Sequence, residues 1–334
     1  MSGDSGDWGT SAPDVVKRVV LALGPEPLDD ARHLLSPVPL QTPIAAQRVN
    51  QNGPDNATDF IIEASGRRLI SLLAVLETLT AETRAALRFP RVWGRTPESS
   101  WFPLPYSALE GLPDADLPLG AVAFSWALSQ FVSEGPEAVR EMEGYRRETE
   151  RRFTPLGWSV APREEPDAAA SRSARLNRIK ARFARPVEMR LVPQGRLFPA
   201  RLVWRGVYAL GLTWGEMDLF HWHEPLSGRR LFTLSSLGQP GYFLPERAAE
   251  GEGVPGLSLG FELPTAPAPG ETFDRMAVAL TYLRHQLGGR PTAADGTELD
   301  AERLDTDRES LEEAVAQMTR SGISPGSPEA ARYF

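Results

Sequence analysis

The feature that most constrains this chain is an order of segments that occurs twice. Phe60 to Ala64 is a short apolar run, followed by Ser65, Gly66 and Arg67 and then by Leu69, Leu72, Leu73, Leu76 and Leu79 at helical spacing. Val187 to Val192 is a second such run, followed by Gln194, Gly195 and Arg196 and then by Leu202, Val203, Val207 and Leu210. Further on, WFPL from Trp101 answers LFTL from Leu231, and GAVAFSWAL from Gly120 answers GLSLGFEL from Gly256. A helix is predicted after each, over Pro136 to Phe153 and over Glu271 to Leu287, and a closing helix after that, over about 168–183 and 307–318. Thr306 and Glu309 stand at capping-box spacing, which predicts the start of the last helix there. The pattern implies two copies of one α+β unit, at 58–184 and 185–320.

The flanks read differently. Residues 1–57 are rich in Pro, Gly and Asp and predict a mobile arm, with one apolar patch at Val15, Val16, Val19, Val20 and Leu23 that can make two helical turns after Asp14, a docking helix being the alternative. Residues 321–334 read as a C-terminal tail. Hydrophobic residues make up 41% of the 334, enough to fill a core in each copy.

Charge and composition exclude several functions. The formal charge of -8 repels nucleic acid and anionic lipid, so no nucleic-acid partner is expected. Zero cysteines remove thiol catalysis, disulfides and Cys-ligated metals. No apolar run reaches the ~20 residues that span a bilayer, and the start MSGDSGDWGT lacks the regions of a signal peptide, so a cytoplasmic location without membrane insertion is expected. The runs 172–190 and 295–313 carry opposite charge, a pattern compatible with a homodimer as well as with solvated faces.

Catalytic patterns are present only in the wrong context. Gly256, Ser258 and Gly260 spell G-x-S-x-G, and Asp274 and His285 follow in the order of a hydrolase triad, so a serine hydrolase on Ser258 is one alternative function. A nucleophile elbow needs a strand, a sharp turn and a helix, whereas Leu257, Leu259, Phe261 and Leu263 alternate with Ser258, Gly260 and Glu262 as in a half-buried strand. Gly251, Gly253 and Gly256 match G-x-G-x-x-G but lead into Pro255 and a strand, so no dinucleotide is expected. His221 and His223 share a strand face with no third ligand suggested, so neither a metal nor any other cofactor is expected. What remains is a sheet surface. Met217, Leu219 and His221 are assigned to one face of a strand, Phe220 and Trp222 to the other, leaving a mixed outer face suited to a peptide.

The runs GEMDLFHWH, LFTLSSLGQPG and PGLSLGFELP, in that order and spacing, resemble the C-terminal domain of the ZipA cell-division family over about 187–318. The resemblance implies a split β-α-β fold, an antiparallel sheet backed by helices on one face, and hence a tandem of such domains. It also implies a non-enzymatic cell-division adaptor that binds the C-terminal tail of the tubulin-like protein FtsZ on the exposed sheet face, at the division site through that partner. Carried over position by position, it makes Met217, Leu219 and Leu237 groove residues. Gly260 stands where the family has a groove phenylalanine, and Gln239 where it has a lysine. The upstream Phe124, aligned with Gly260, becomes a candidate groove aromatic of the first copy; hydrophobic burial predicts instead that Phe124 and Trp126 are covered, either facing the helices with that alignment off by one or facing outward beneath the other domain, the arm or a partner. A module that only self-associates through its sheet faces is the remaining alternative.

Overall fold

A computed structural model describes residues 12–35, 53–104, 115–133 and 135–334. Helix α1 (Ala12–Leu23) comes first. It is followed by β1 (Asp59–Ser71), α2 (Leu72–Thr78), α3 (Ala81–Ala86), β2 (Arg91–Arg95), β3 (Phe102–Pro103), β4 (Pro118–Ala127), α4 (Pro136–Phe153), β5 (Ser159–Pro162) and α5 (Pro166–Phe183). A second series comprises β6 (Pro186–Val192), β7 (Phe198–Pro199), α6 (Ala200–Ala209), β8 (Thr213–Trp214), β9 (Phe220–His223) and β10 (Arg230–Ser236). It continues through α7 (Pro245–Ala249), β11 (Gly253–Val254), β12 (Leu257–Glu262), α8 (Pro269–Leu287), β13 (Arg290–Ala293) and α9 (Ala301–Arg320), and α10 (Pro328–Tyr333) ends the chain.

These elements form two units. The upstream unit holds Gln47–Arg182 with Pro328–Phe334, and the downstream unit holds Phe183–Ser327 with the start of the chain. The upstream sheet has the order β3-β2-β4-β1-β5, and the main downstream sheet has the order β13-β6-β12-β10-β9-β8, with β7 and β11 pairing separately. Every pairing is antiparallel. The α+β class with an antiparallel sheet and helices is therefore the observed one.

Alternation decides which side of the downstream sheet is core. Leu257, Leu259 and Phe261 of β12 are buried, as are Phe232 and Leu234 of β10, Met189 and Leu191 of β6, and Phe220 and Trp222 of β9. Helix α8 lies against β6, β10, β12 and β13, and α6 packs on α8, so the apolar side is closed by helices. Trp204 of α6 meets Phe220 edge to face at 4.7 Å, and Trp222 stacks on Phe232 at 5.7 Å. On the opposite side of this sheet the described residues place no helix, and that side becomes the candidate site.

The upstream sheet buries both sides of its central strand. Phe124 and Trp126 of β4 turn toward α4, where Phe153 meets Phe124 at 5.5 Å and Tyr145 stacks on Trp126 at 4.8 Å. The other side is taken by Ile61, Trp93 and Ala123 with Trp101 packed on them, and Trp93 Nε1 donates to Ser125 Oγ at 3.0 Å. Arg95 and Arg163 sit over the Trp101 ring at 4.7 and 5.4 Å.

Several local expectations change. The residues from Leu69 to Ser71 continue β1, and the helix begins only at Leu72 after Ser71, whose hydroxyl accepts from Ala74 N. Helix α9 starts at Ala301, capped by Asp300, and Thr306 lies inside it with its hydroxyl on Glu302 O. WFPL does not take the place of LFTL: Phe102 and Pro103 form an edge strand, whereas Leu231 to Leu234 lie in β10, paired on both sides. By sheet position, β2 corresponds to β10. The order β5-β1-β4-β2 thus runs parallel to β13-β6-β12-β10, but the next strand follows β2 in the chain in one unit and precedes β10 in the other.

The flanks are structured where described. Arg18 of α1 reaches Glu246 of α7 through two bonds of 2.7 and 3.2 Å and lies over the Trp214 ring at 4.8 Å. Arg205 donates to Leu23 O and Glu26 O, and Arg275 donates to Leu35 O, so two more arginines hold the exit of α1. Residues 12–35 therefore differ from the expected arm, and 1–11 and 36–52 lie outside the described residues. The expected tail also carries packing: Tyr333 is buried with its hydroxyl on Asn177 Oδ1, and Arg332 pairs with the buried Asp59.

Candidate functional site

The side of the downstream sheet opposite α8 contains a groove of about 460 Å³. Its floor is the outward row of each strand: Glu188 of β6, Ser258 and Gly260 of β12, Thr233 and Ser235 of β10, and His221 of β9. Register brings them side by side, since Gly260 pairs with Glu188 on one flank and Thr233 on the other, and Thr233 pairs in turn with His221. Met217 and Leu219 form the apolar rim at one end, and Glu262 and Pro186 stand at another.

Met217 reaches the rim by an unexpected route. The strand begins at Phe220, and Met217 and Asp218 sit before it in a short turn at φ 58° and 55°, the left-handed region that non-glycine residues seldom occupy. Three backbone bonds within 215–219 hold that turn, and Phe243 N donates to Asp218 O at 2.9 Å. The result is a large apolar side chain 79% exposed beside the groove, a costly arrangement unless something covers it.

The floor is polar and ordered. Arg190 Nε donates to Glu188 Oε1 at 2.6 Å, and Ser258 Oγ donates to the same oxygen at 2.6 Å. Burial alone would raise the Glu188 carboxyl, but these donors outweigh it and hold the group below its ordinary range. His221 contacts Glu216 O at 2.9 Å through Nε2, and its buried Nδ1 has no hydrogen-bond partner. His223 lies 6.1 Å from His221, ring to ring, and burial with the nearby His221 and Arg230 lowers its pKa. Arg230 pairs with Glu216 at 3.0 Å near the Met217 rim.

Of the expected site residues, Met217, Leu219 and Gly260 come together here. Leu237 does not line the groove. It is half-buried beyond β10, donating from its N–H to Gly256 O at 3.0 Å, and its side chain fills the space a Cβ on Gly256 would need. Phe124 is fully buried in the upstream core, so it is no groove aromatic. In β4 it pairs with Ile62, and Ser125, one residue on, pairs with Ile61 on the other side of the sheet. Thr233, Ser235 and Glu262 join the groove, as their alternation with Phe232, Leu234 and Phe261 places them on the open face.

The hydrolase constellation does not assemble. Ser258 faces the groove and donates a hydrogen bond to Glu188, whereas Asp274 and His285 belong to α8 on the opposite side of the sheet, where Asp274 accepts from Arg308. Among the described residues no group of three or more His, Asp or Glu is placed to hold a metal ion. No described helix is long and apolar enough to cross a membrane.

Residues 187–321 match the family ZipA, C-terminal FtsZ-binding domain. The matched segment begins in β6 and ends just after α9, so it contains the sheet, the groove and both long helices. A protein named cell division protein ZipA from Ectopseudomonas mendocina is 29% identical over 138 residues, 40% of this chain and 50% of that protein. One of the same name from Vibrio cholerae serotype O1 is 31% identical over 105 residues, 31% of this chain and 36% of that protein. A third, from Pseudomonas fluorescens, is 30% identical over 123 residues, 36% of this chain and 42% of that protein. The chain thus spans half or less of the curated relatives it matches. The match does not extend to the upstream unit.

Proposed function

We propose that the chain is a cell-division adaptor whose downstream unit binds the C-terminal tail of FtsZ in the groove of its open sheet face. The observation that carries this reading is the exposed Met217 beside Leu219, on the rim of a groove whose lining, Pro186 apart, lies within the matched segment. A short peptide that folds on binding needs a few buried apolar anchors, and the rim supplies two. The groove differs from the expected apolar one because Gly260 withholds a side chain and Glu188, Thr233, Ser235 and Ser258 make the floor polar. Without an aromatic at the centre, on the order of 2 kcal/mol of binding energy is forgone, so affinity in the upper micromolar range is expected.

The upstream unit is, in the same reading, a divergent second copy. Its support is the parallel order of four antiparallel strands around the long helix α4, as around α8. With Trp93 and Trp101 packed over the face that would be the groove, this unit is read as a scaffold rather than a second tail site.

Fluorescence anisotropy with a labelled FtsZ tail peptide tests the proposal on the full chain. Saturable binding is expected, and it should be weakened about thirtyfold by Leu219→Asp, which puts an unpaired charge at the rim. Absence of binding at millimolar protein, or equal binding by this variant, refutes it.

A further inference from the structure

The groove is electrically uneven around Gly260. Glu188 lies directly across from Gly260 on β6, and Glu262 is two residues along β12 on the same outward row. Both carboxylates line the cavity. Glu188 is already engaged by Arg190 and Ser258, whereas Glu262 forms no ion pair among the described residues. Arg230, a cation among the residues that line the groove, lies on β10 toward the same strand ends as Glu262, since Thr233 pairs with Gly260, but its guanidinium is paired with Glu216. The backbone at Gly260 is bare: a Cβ placed there would press on Val187 O at 3.2 Å and meet Glu188 Cγ at 4.0 Å, with nothing else inside 4 Å.

A side chain that enters over Gly260 therefore meets two carboxylates and a bare backbone. We propose that this is a subsite for a basic side chain, arginine or lysine, of the bound tail, with Glu262 as its principal acceptor and Glu188 as the second. The inference rests on the reading that the groove binds the FtsZ tail and adds which side chain it selects. An acidic side chain would be repelled, and an aromatic ring would desolvate the carboxylates without pairing them. A long basic chain fits both demands. Its aliphatic stem crosses the bare glycine backbone while its charged tip stays with Glu262 at the wetter rim, and a guanidinium can offer two parallel N–H groups to that carboxylate. Gly260, in this arrangement, is a specificity feature as well as a forgone aromatic anchor.

The test uses the full chain, the labelled FtsZ tail peptide and versions of it with each Lys or Arg replaced singly by Gln. Glu262→Gln is expected to weaken the parent peptide about fivefold and to flatten its salt dependence. One of the Gln peptides should lose the same factor on the unaltered chain and lose nothing further on Glu262→Gln. Glu262→Arg should be rescued by the peptide in which that same basic residue is Glu. Gly260→Val should weaken binding as well, but the exposed Glu262 variants carry the conclusion because they leave the strand backbone untouched. Circular dichroism checks that each remains folded. If the parent peptide binds yet Glu262→Gln and Glu262→Arg bind it unchanged, or if every peptide loses affinity equally, the basic subsite is wrong while the tail reading stands. If the parent peptide does not bind at all, both fall.

Discussion

At the scale of single residues, the groove and the cores respond to different substitutions. Met217→Asp should reduce tail affinity by an order of magnitude or more, as titration would show, because it removes an anchor and adds a charge. Its effect on stability should stay within about 0.5 kcal/mol in urea unfolding, since the side chain is exposed and Asp tolerates a positive φ better than Met. Phe124→Ala should behave in the opposite way. It opens a cavity beside Phe153 and Trp126 and should cost about 3–5 kcal/mol of upstream-unit stability, read from a denaturant melt, while tail affinity of the folded protein is unchanged. The two results together separate a groove residue from a core residue. Alternation fixes which residues share a face, but nothing local says which face is covered when both are apolar; Trp93 and Trp101 reach β4 only through the fold.

At the scale of elements, helices were legible where their stripe was regular and misread where a cap or a strand continued past an expected end. Helix α4 occupies the predicted Pro136 to Phe153, whereas α9 starts earlier than the Thr306 signal because Asp300 caps it first. The flanking pieces were hardest to read, because α1 and α10 are too short to be stable alone and are held by tertiary contacts. Those contacts make predictions. The hydrogen bond from Arg18 holds the Glu246 carboxyl below its ordinary value, against the opposing effect of burial. The native state then binds fewer protons there than the unfolded chain, so the contribution is present above the usual value of about 4.3 and is lost as pH falls through the lower folded value. Hydrogen exchange in α1 should accelerate over that acidic interval, and Arg18→Ala should bring the same loss of protection at neutral pH. The pair is half-exposed, so the effect on global stability should be small. At the other end, Arg332→Ala should cost about 3–5 kcal/mol in the upstream unit, because it leaves the buried Asp59 without its guanidinium, and a thermal melt would register it.

At the scale of the whole molecule, the class of fold and the downstream sheet were legible from alternation and from the order of segments, and the groove from the mixed outer face of β9 and β10. The hairpin that completes each sheet was not. Which of two successive strands pairs inward is decided by long-range hydrogen bonding, so β2 and β3 could not be told from β9 and β10 by local pattern. The polar floor was only half legible, since Glu188 and Arg190 are evident in the sequence but their bond to each other and to Ser258 needs the register of β6 with β12. The central claim is that the open face of the downstream sheet receives the FtsZ tail. Amide chemical-shift mapping on the labelled full chain during addition of unlabelled tail peptide tests it most directly. The expected result is a saturable set of shifts at Glu188, Thr233, Ser235, Gly260 and the turn from Met217 to Leu219. Shifts confined to α8, α9 or the upstream unit, or none at millimolar peptide, would contradict it.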